Sequence, residues 1–228
     1  MMEFTDGGAF GPLPIGTVYG VILNSRRQRS DLGDRLKAAP YGASPRAPVL
    51  YIKPCNTFAE DGAEVVAPDG IEALDVAGTL GAVVGRTICR AGAEEALAGV
   101  AGYTVAIDIS LPHTAWHRPA IRQRCRDGYL PIASCIAPAA AVPDPDALTV
   151  TMTVGGRAET ALQTAELVRP VGRLLSDLSQ FMTLSPGDLV LVGLPPQLIL
   201  AKPDDTVEAS AEGIGRIGCR IISEGPPA

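Results

Sequence analysis

The chain has 228 residues, 46% of them apolar and 19% charged, with a net charge of −6 at neutral pH. That apolar share excludes disorder throughout, and the length can bury a sizeable core in one large domain or two small ones. The acidic balance argues against nucleic acid held through its phosphates, and no apolar stretch reaches the about 18 residues that signal a membrane-spanning helix.

Glycine (25) and proline (20) are abundant while aromatics are scarce at 4%, which suits a strand-rich fold with many turns. Residues 1–16 read as a flexible tail. Residues 17–23 (TVYGVIL) predict a buried strand, and the polar stretch 25–39, with five arginines or lysines, a helix or mobile loop. A strand over 49–52 leads to Lys53-Pro54-Cys55. Residues 76–86 predict a buried strand closing on Gly85-Arg86, the Ala- and Glu-rich stretch 91–101 a helix, and residues 103–110 a second strand with Asp108 set in an apolar run. Alternation over 148–154 predicts a strand turned by Gly155-Gly156. Apolar residues at 167, 171, 174, 175 and 178 predict a helix over 164–182, ended by the turn signal Ser185-Pro186-Gly187-Asp188. A strand over 189–192 and a closing pair over 207–209 and 217–222 complete the pattern. Strands and helices do not alternate regularly, so the expected class is α+β, mainly β, with one domain over 17–224.

The cysteines, at 55, 89, 125, 135 and 219, are odd in number and form no CxxC pair. They fit reduced thiols better than a disulfide framework or a zinc site. The acidic N-terminus lacks a signal-type apolar run. A cytoplasmic protein is expected.

Asp108 is the residue that most needs an explanation, because burying a charge without a partner is costly. A hard cation is the usual partner and wants about six oxygens, several of them from acids. A neighbouring strand would supply them from alternate residues on one face, and there this chain has Ala77 and Thr79. The other reading has Asp108 accept backbone N–H groups or pair with Arg124 and need no metal, and the missing acids favour it. Glu72 and Asp75 lie close in sequence but precede the expected strand. Arg122, Arg124 and Arg126 put three cations within five residues. They read equally as a solvated turn, with Arg126 paired to Asp127, or as an anion site for a polycarboxylate. Lys53 either lines the same pocket or is exposed.

Three further patterns carry little chemistry. Residues 213–218 match GxGxxG but lack a following helix and an acid about twenty residues on, so they read as a β-turn. His113 and His117 stand i, i+4 between Pro112 and Pro119, which reads as surface or packing rather than metal ligation. No GxSxG elbow occurs.

The order Tyr51-Ile52-Lys53-Pro54, Leu80 to Arg86, Ala101 to Ser110, Arg126-Asp127-Gly128 and Phe181 to Asp188 resembles the fumarylacetoacetate hydrolase family over about residues 17–224. The stretches 110–128 and Ala77-Gly78-Thr79 narrow the likeness to the N-terminal half, or first subunit, of two-part isomerase/decarboxylases of aromatic catabolism. The resemblance implies a β-roll of layered mixed sheets with flanking helices. It also implies Mg²⁺ or Mn²⁺ chemistry on enol and keto acids. Its members carry Glu-x-Glu where this chain has Ala77-Gly78-Thr79, so only the third ligand, Asp108, is kept and no metal is expected in this chain. They often have Lys at Arg124, a His and a Glu on a lid where Gln28 and Asp31 stand, and Gly-Thr-Pro at Gly193-Leu194-Pro195. Without the ion the chemistry lacks its electrophile, and Gln28 cannot transfer a proton near neutral pH.

Three expectations follow. The chain is a degenerate subunit that packs with a homologous catalytic subunit or as a homo-oligomer. Alternatively it is a metal-independent isomerase, in which Lys53, Arg124 and Arg126 bind a dicarboxylic keto or enol acid and Asp108 acts as acid/base. Otherwise it is a non-catalytic dicarboxylate-binding protein.

Overall fold

The computed structural model describes residues 2–5, 13–113 and 119–225. Strands β1 (Glu3–Phe4) and β2 (Leu13–Pro14) pair with each other, and β3 (Val18–Ile22) follows. Helix α1 (Arg26–Leu32) starts at Ser25, whose hydroxyl accepts the Gln28 N–H at 3.3 Å. Next come β4 (Val49–Lys53), β5 (Phe58–Ala59), β6 (Ala63–Ala67) and the long β7 (Leu74–Val84). Helix α2 (Ala93–Leu97) leads into β8 (Val100–Ser110), and α3 (Ile121–Arg124) precedes β9 (Leu130–Pro131) and β10 (Ala137–Pro138). The rest is β11 (Thr149–Val154), β12 (Arg157–Gln163), α4 (Val171–Ser179), β13 (Leu189–Leu191), β14 (Ile199–Ala201), β15 (Thr206–Ala211) and β16 (Gly215–Ser223).

Two mixed sheets carry the fold, as expected for an α+β, mainly β chain. The larger runs β10-β8-β7-β13-β3-β4, with β14 also on β7; the smaller runs β12-β11-β15-β16-β6. Val76, Leu80, Val105 and Ile107 project from one face of the larger sheet into the main core, where Val150, Met152, Val207 and Ile217 of the smaller sheet meet them. Alternation puts Ala77, Thr79, Ala106 and Asp108 on the opposite face. Three strands separate β8 from β4 in the order, yet Lys53 of β4 lies 2.7 Å from Asp108 of β8. Strands about 4.8 Å apart in a flat sheet would hold these two much too far apart for a lysine to bridge. The sheet is therefore coiled into a roll, with Asp108 on its inner face.

Several expected elements shift. Residues 2–5 and 13–16 are not a loose tail: Phe4 is buried and Thr5 N donates to Ser134 O at 2.8 Å. The helix over 164–182 shrinks to α4, because Pro170 cannot sit inside a helix and drives Arg169 towards extended backbone. The helix over 91–101 stops at Leu97, since Val100 is drawn into pairing with Val84. The GxGxxG segment turns the β15–β16 hairpin at Gly213 (φ 72°) and Ile214, and its residues 215–218 begin β16. His113 Nδ1 lies 3.0 Å from Leu111 O, and His117 falls outside the described residues. No helix among the described residues is long and apolar enough to cross a membrane.

Gly20 in β3 faces Tyr51 in β4 across the ladder, and a Cβ at position 20 would lie 2.0 Å from the Tyr51 ring. The ring thus occupies the place of the missing side chain. Gly20→Ala should cost about 1–3 kcal/mol, as other overpacked sites do, and lower the urea midpoint. An unchanged midpoint would mean that the ring moves aside freely.

Candidate functional site

Tyr51 and Lys53 sit two residues apart on β4, so both project to the inner face. There they meet Asp108 of β8 and Arg124 at the end of α3. Lys53 Nζ donates to three carbonyls, those of Ile109 at 2.8 Å, Arg124 at 3.0 Å and Tyr129 at 2.9 Å. An ammonium has three donors. Its 2.7 Å approach to Asp108 Oδ1 is therefore an ion contact without a hydrogen of its own. Arg124 Nη1 donates to Asp108 Oδ2 at 2.9 Å, and the Tyr51 hydroxyl donates to the same oxygen. The Arg124 guanidinium also stacks 4.5 Å from the Tyr51 ring centroid.

Lys53, Asp108 and Arg124 are buried and Tyr51 is half-buried, so their charges act on one another strongly. Burial pushes the Asp108 carboxyl up, but the Lys53 and Arg124 charges outweigh it and hold it below the ordinary carboxylate range. Burial lowers the Lys53 ammonium, and the Asp108 charge only partly restores it. Burial also drives the Tyr51 phenol well above its usual value, and the Asp108 charge adds to this. For Arg124 burial works downwards, but the neighbouring Asp108 carboxylate prevails and raises it. Two cations against one carboxylate leave this cluster with a net positive charge.

The positions that would complete a cation cage are filled otherwise. Ala77 lies directly across from Asp108. It belongs to an apolar cluster with Ile22, Leu23, Leu36 and Leu194. Thr79 is buried, and its hydroxyl donates to Gly193 O at 2.6 Å. Asp75, expected before the strand, stands inside β7 opposite Ser110, on the same face as Asp108. It is half-buried, and burial raises its pKa against the charges of His113 and Arg124. These residues do not fit Mg²⁺ or Mn²⁺. Both Asp108 oxygens already face cations, the next acid on that face lies about 7 Å along the strand, and no cluster of three possible metal ligands occurs among the described residues.

Lys53, Arg124 and Asp108 thus come together. Arg126 does not join them. It lies over the Tyr129 ring at 5.9 Å and lines a separate cleft with Val66, Ile121 and Arg122. This corrects the expectation of one pocket holding all three cations. Asp127 accepts from Asn56 Nδ2 at 2.6 Å. Of the lid positions, Gln28 is buried, and its side-chain carbonyl accepts the Leu23 N–H at 3.1 Å, a helix-entry contact. Tyr51 is the site residue that charge and spacing did not single out. Its signal is Gly20, an odd residue for a strand interior, which marks close approach by a large group.

Residues 17–222 match the family described as Fumarylacetoacetate (FAA) hydrolase C-terminal. The chain is 37% identical over 209 residues to the 4-hydroxyphenylacetate degradation bifunctional isomerase/decarboxylase of Salmonella dublin. That alignment covers 92% of this chain and 48% of the relative, so the chain spans about half the length of the curated relatives it matches first. The matched pattern is that of a C-terminal domain, and the narrower likeness to an N-terminal half is not carried by these matches. Among solved structures it is similar to 5-carboxymethyl-2-hydroxymuconate delta-isomerase from Mycobacterium smegmatis, at 25% identity and a TM-score of 0.78, over 94% of this chain and 82% of that one. The fold is also shared with fumarylpyruvate hydrolase from Pseudomonas aeruginosa, solved in complex with Mn²⁺ and pyruvate, at 23% identity and a TM-score of 0.81, over 97% and 96% of the two chains.

Asp108→Asn should remove the carboxylate and leave Lys53 and Arg124 buried together, costing on the order of 3–5 kcal/mol in urea unfolding. Because the folded carboxyl titrates below its unfolded value of about 3.9, its stabilisation is complete above that value and disappears as pH falls through the lower folded one. The parent should therefore lose stability over that acidic window by more than the Asn variant does. Parallel slopes for the two proteins would contradict the ion-pair account.

Proposed function

Because the chain belongs to the fumarylacetoacetate hydrolase family, we propose that it is a subunit of an isomerase/decarboxylase of homoprotocatechuate catabolism that lacks a metal site of its own. The reactions of such an assembly are decarboxylation of 5-oxopent-3-ene-1,2,5-tricarboxylate and isomerisation of 2-hydroxyhepta-2,4-diene-1,7-dioate. One observation carries the reading. The oxygens of Asp108 are taken by Lys53 and Arg124, while Ala77 and Thr79 stand where a second and third carboxylate would be needed. Internal cations neutralise the acid that would otherwise hold a divalent one. The half-length correspondence with the bifunctional relatives supports a homologous catalytic subunit as partner, with a second copy of this chain as the other possibility.

A second reading, metal-independent tautomerisation of a dicarboxylic keto acid, draws on the surplus positive charge beside Asp108. It asks Asp108 to move protons, yet that carboxyl is held below its ordinary range and both oxygens are engaged. A catalytic base works best with a pKa near the working pH. The purely binding reading needs no such step, but it gives no role to the half-length correspondence with the bifunctional relatives.

Two measurements test the proposal. The purified chain, given either substrate with excess Mg²⁺ or Mn²⁺, should show no turnover above background; robust metal-dependent activity from this chain alone would refute it. Ala77→Glu combined with Thr79→Glu places two carboxylates on the Asp108 face and should strengthen Mn²⁺ binding by at least about tenfold in calorimetry. Equal Mn²⁺ affinity in parent and variant would show that these positions do not face a common cation.

A further inference from the structure

The cleft that holds Arg126 is a separate place from the Asp108 cluster. Its volume is about 530 Å³, and none of Tyr51, Lys53, Asp108 or Arg124 lines it. That volume is in the range of small-molecule sites. One wall is Val66 of β6 with the ring of Tyr129, and the other is α3 with Ile121 and Arg122. Ile121 is 63% exposed, an unusual place for a large apolar side chain on a four-residue helix.

The cleft carries two arginines and two acids. Asp127 accepts from the Asn56 amide at 2.6 Å, and Glu224 Oε2 accepts the Asp69 N–H at 2.8 Å. Neither Arg122 nor Arg126 forms an ion pair with an acid among the described residues. The Tyr129 hydroxyl donates to Val66 O at 3.0 Å, and the Arg126 guanidinium lies 5.9 Å from its ring centroid. Arg126 is thus held over an aromatic floor with most of its fork unspent. That floor is rigid from below, because the Tyr129 carbonyl accepts the Lys53 ammonium.

We propose that this cleft is a second ligand site that takes a small dicarboxylate, one carboxylate on each arginine fork and its carbon chain against Val66, Ile121 and Tyr129. A guanidinium presents planar paired donors that match a carboxylate, and a lysine would not orient it equally. The inference stands whether or not the Asp108 face performs chemistry.

Titration calorimetry of the full chain with succinate at low ionic strength tests it, with sulfate and the neutral diamide succinamide as comparison ligands. Succinate should bind with one-to-one stoichiometry at millimolar affinity, more tightly than sulfate, and succinamide should give no heat. Arg126→Ala and Arg122→Ala should each weaken succinate by about tenfold or more, and Arg126→Lys should retain part of the affinity. Arg122 is exposed, so its variant reports on the site even if Arg126→Ala lowers the melting temperature. Absence of heat up to about 10 mM succinate overturns the proposal, as does unchanged affinity in both alanine variants. Equal affinity for sulfate and succinate overturns the assignment to a dicarboxylate.

Discussion

The ion cluster at Asp108 holds this architecture in its coiled form. A carboxylate inside a roll of apolar strands would be untenable alone, and two cations close to its oxygens make it acceptable. The cations come from segments that the sheet order keeps apart, one from the outermost strand and one from the end of a short helix. Ion pairing, the Tyr51 hydrogen bond and the three carbonyls on Lys53 therefore fasten β4, β8, α3 and the turn at Tyr129 to one point. Buried pairs of this kind often contribute little net stability against an apolar alternative. Their effect here is on geometry: the sheet edge has only one place to go.

The residues around the cluster have taken up packing roles that agree with one another. Ala77 and Leu194 pack with Leu36, so the segment after α1 lies on an apolar surface. The Thr79 hydroxyl spends itself on Gly193 O and steadies the loop after β13. Asn24 bridges the same loop and the segment before α4, donating to Val192 O at 2.8 Å and accepting from Arg169 N at 3.0 Å. These neighbours are matched by hydrogen bonds or apolar packing, while Asp108 Oδ1 at the centre is met by the Lys53 charge alone rather than by a hydrogen bond.

Much of the fold was legible in the sequence because apolar period and turn residues report strands well. The strands around residues 18, 50, 80, 105 and 190 and the closing hairpin appear where alternation and glycine placed them. Helix lengths were harder to read, because Pro170 and the pull of Val100 into pairing act through backbone geometry and tertiary contact. At the site, Asp108 announced itself as a charge in an apolar run, and Arg124 as its partner was within reach of the same reasoning. Lys53 could not be placed, since its burial depends on the coiling of the whole sheet. Arg126 was misplaced for a related reason. Residues two apart near a short helix end can face opposite sides of a strand layer, and spacing alone does not say which.

The smaller sheet is closed by a parallel pairing between β6, in the first third of the chain, and β16, which ends at Ser223. During synthesis β6 emerges long before its partner exists, and Val65, buried in the finished core, must wait for it. Pairings so distant along the chain are slow to form and leave strand edges open meanwhile. Until β16 has been made, the β6 edge stands unpaired, the kind of open strand edge on which one chain can catch another.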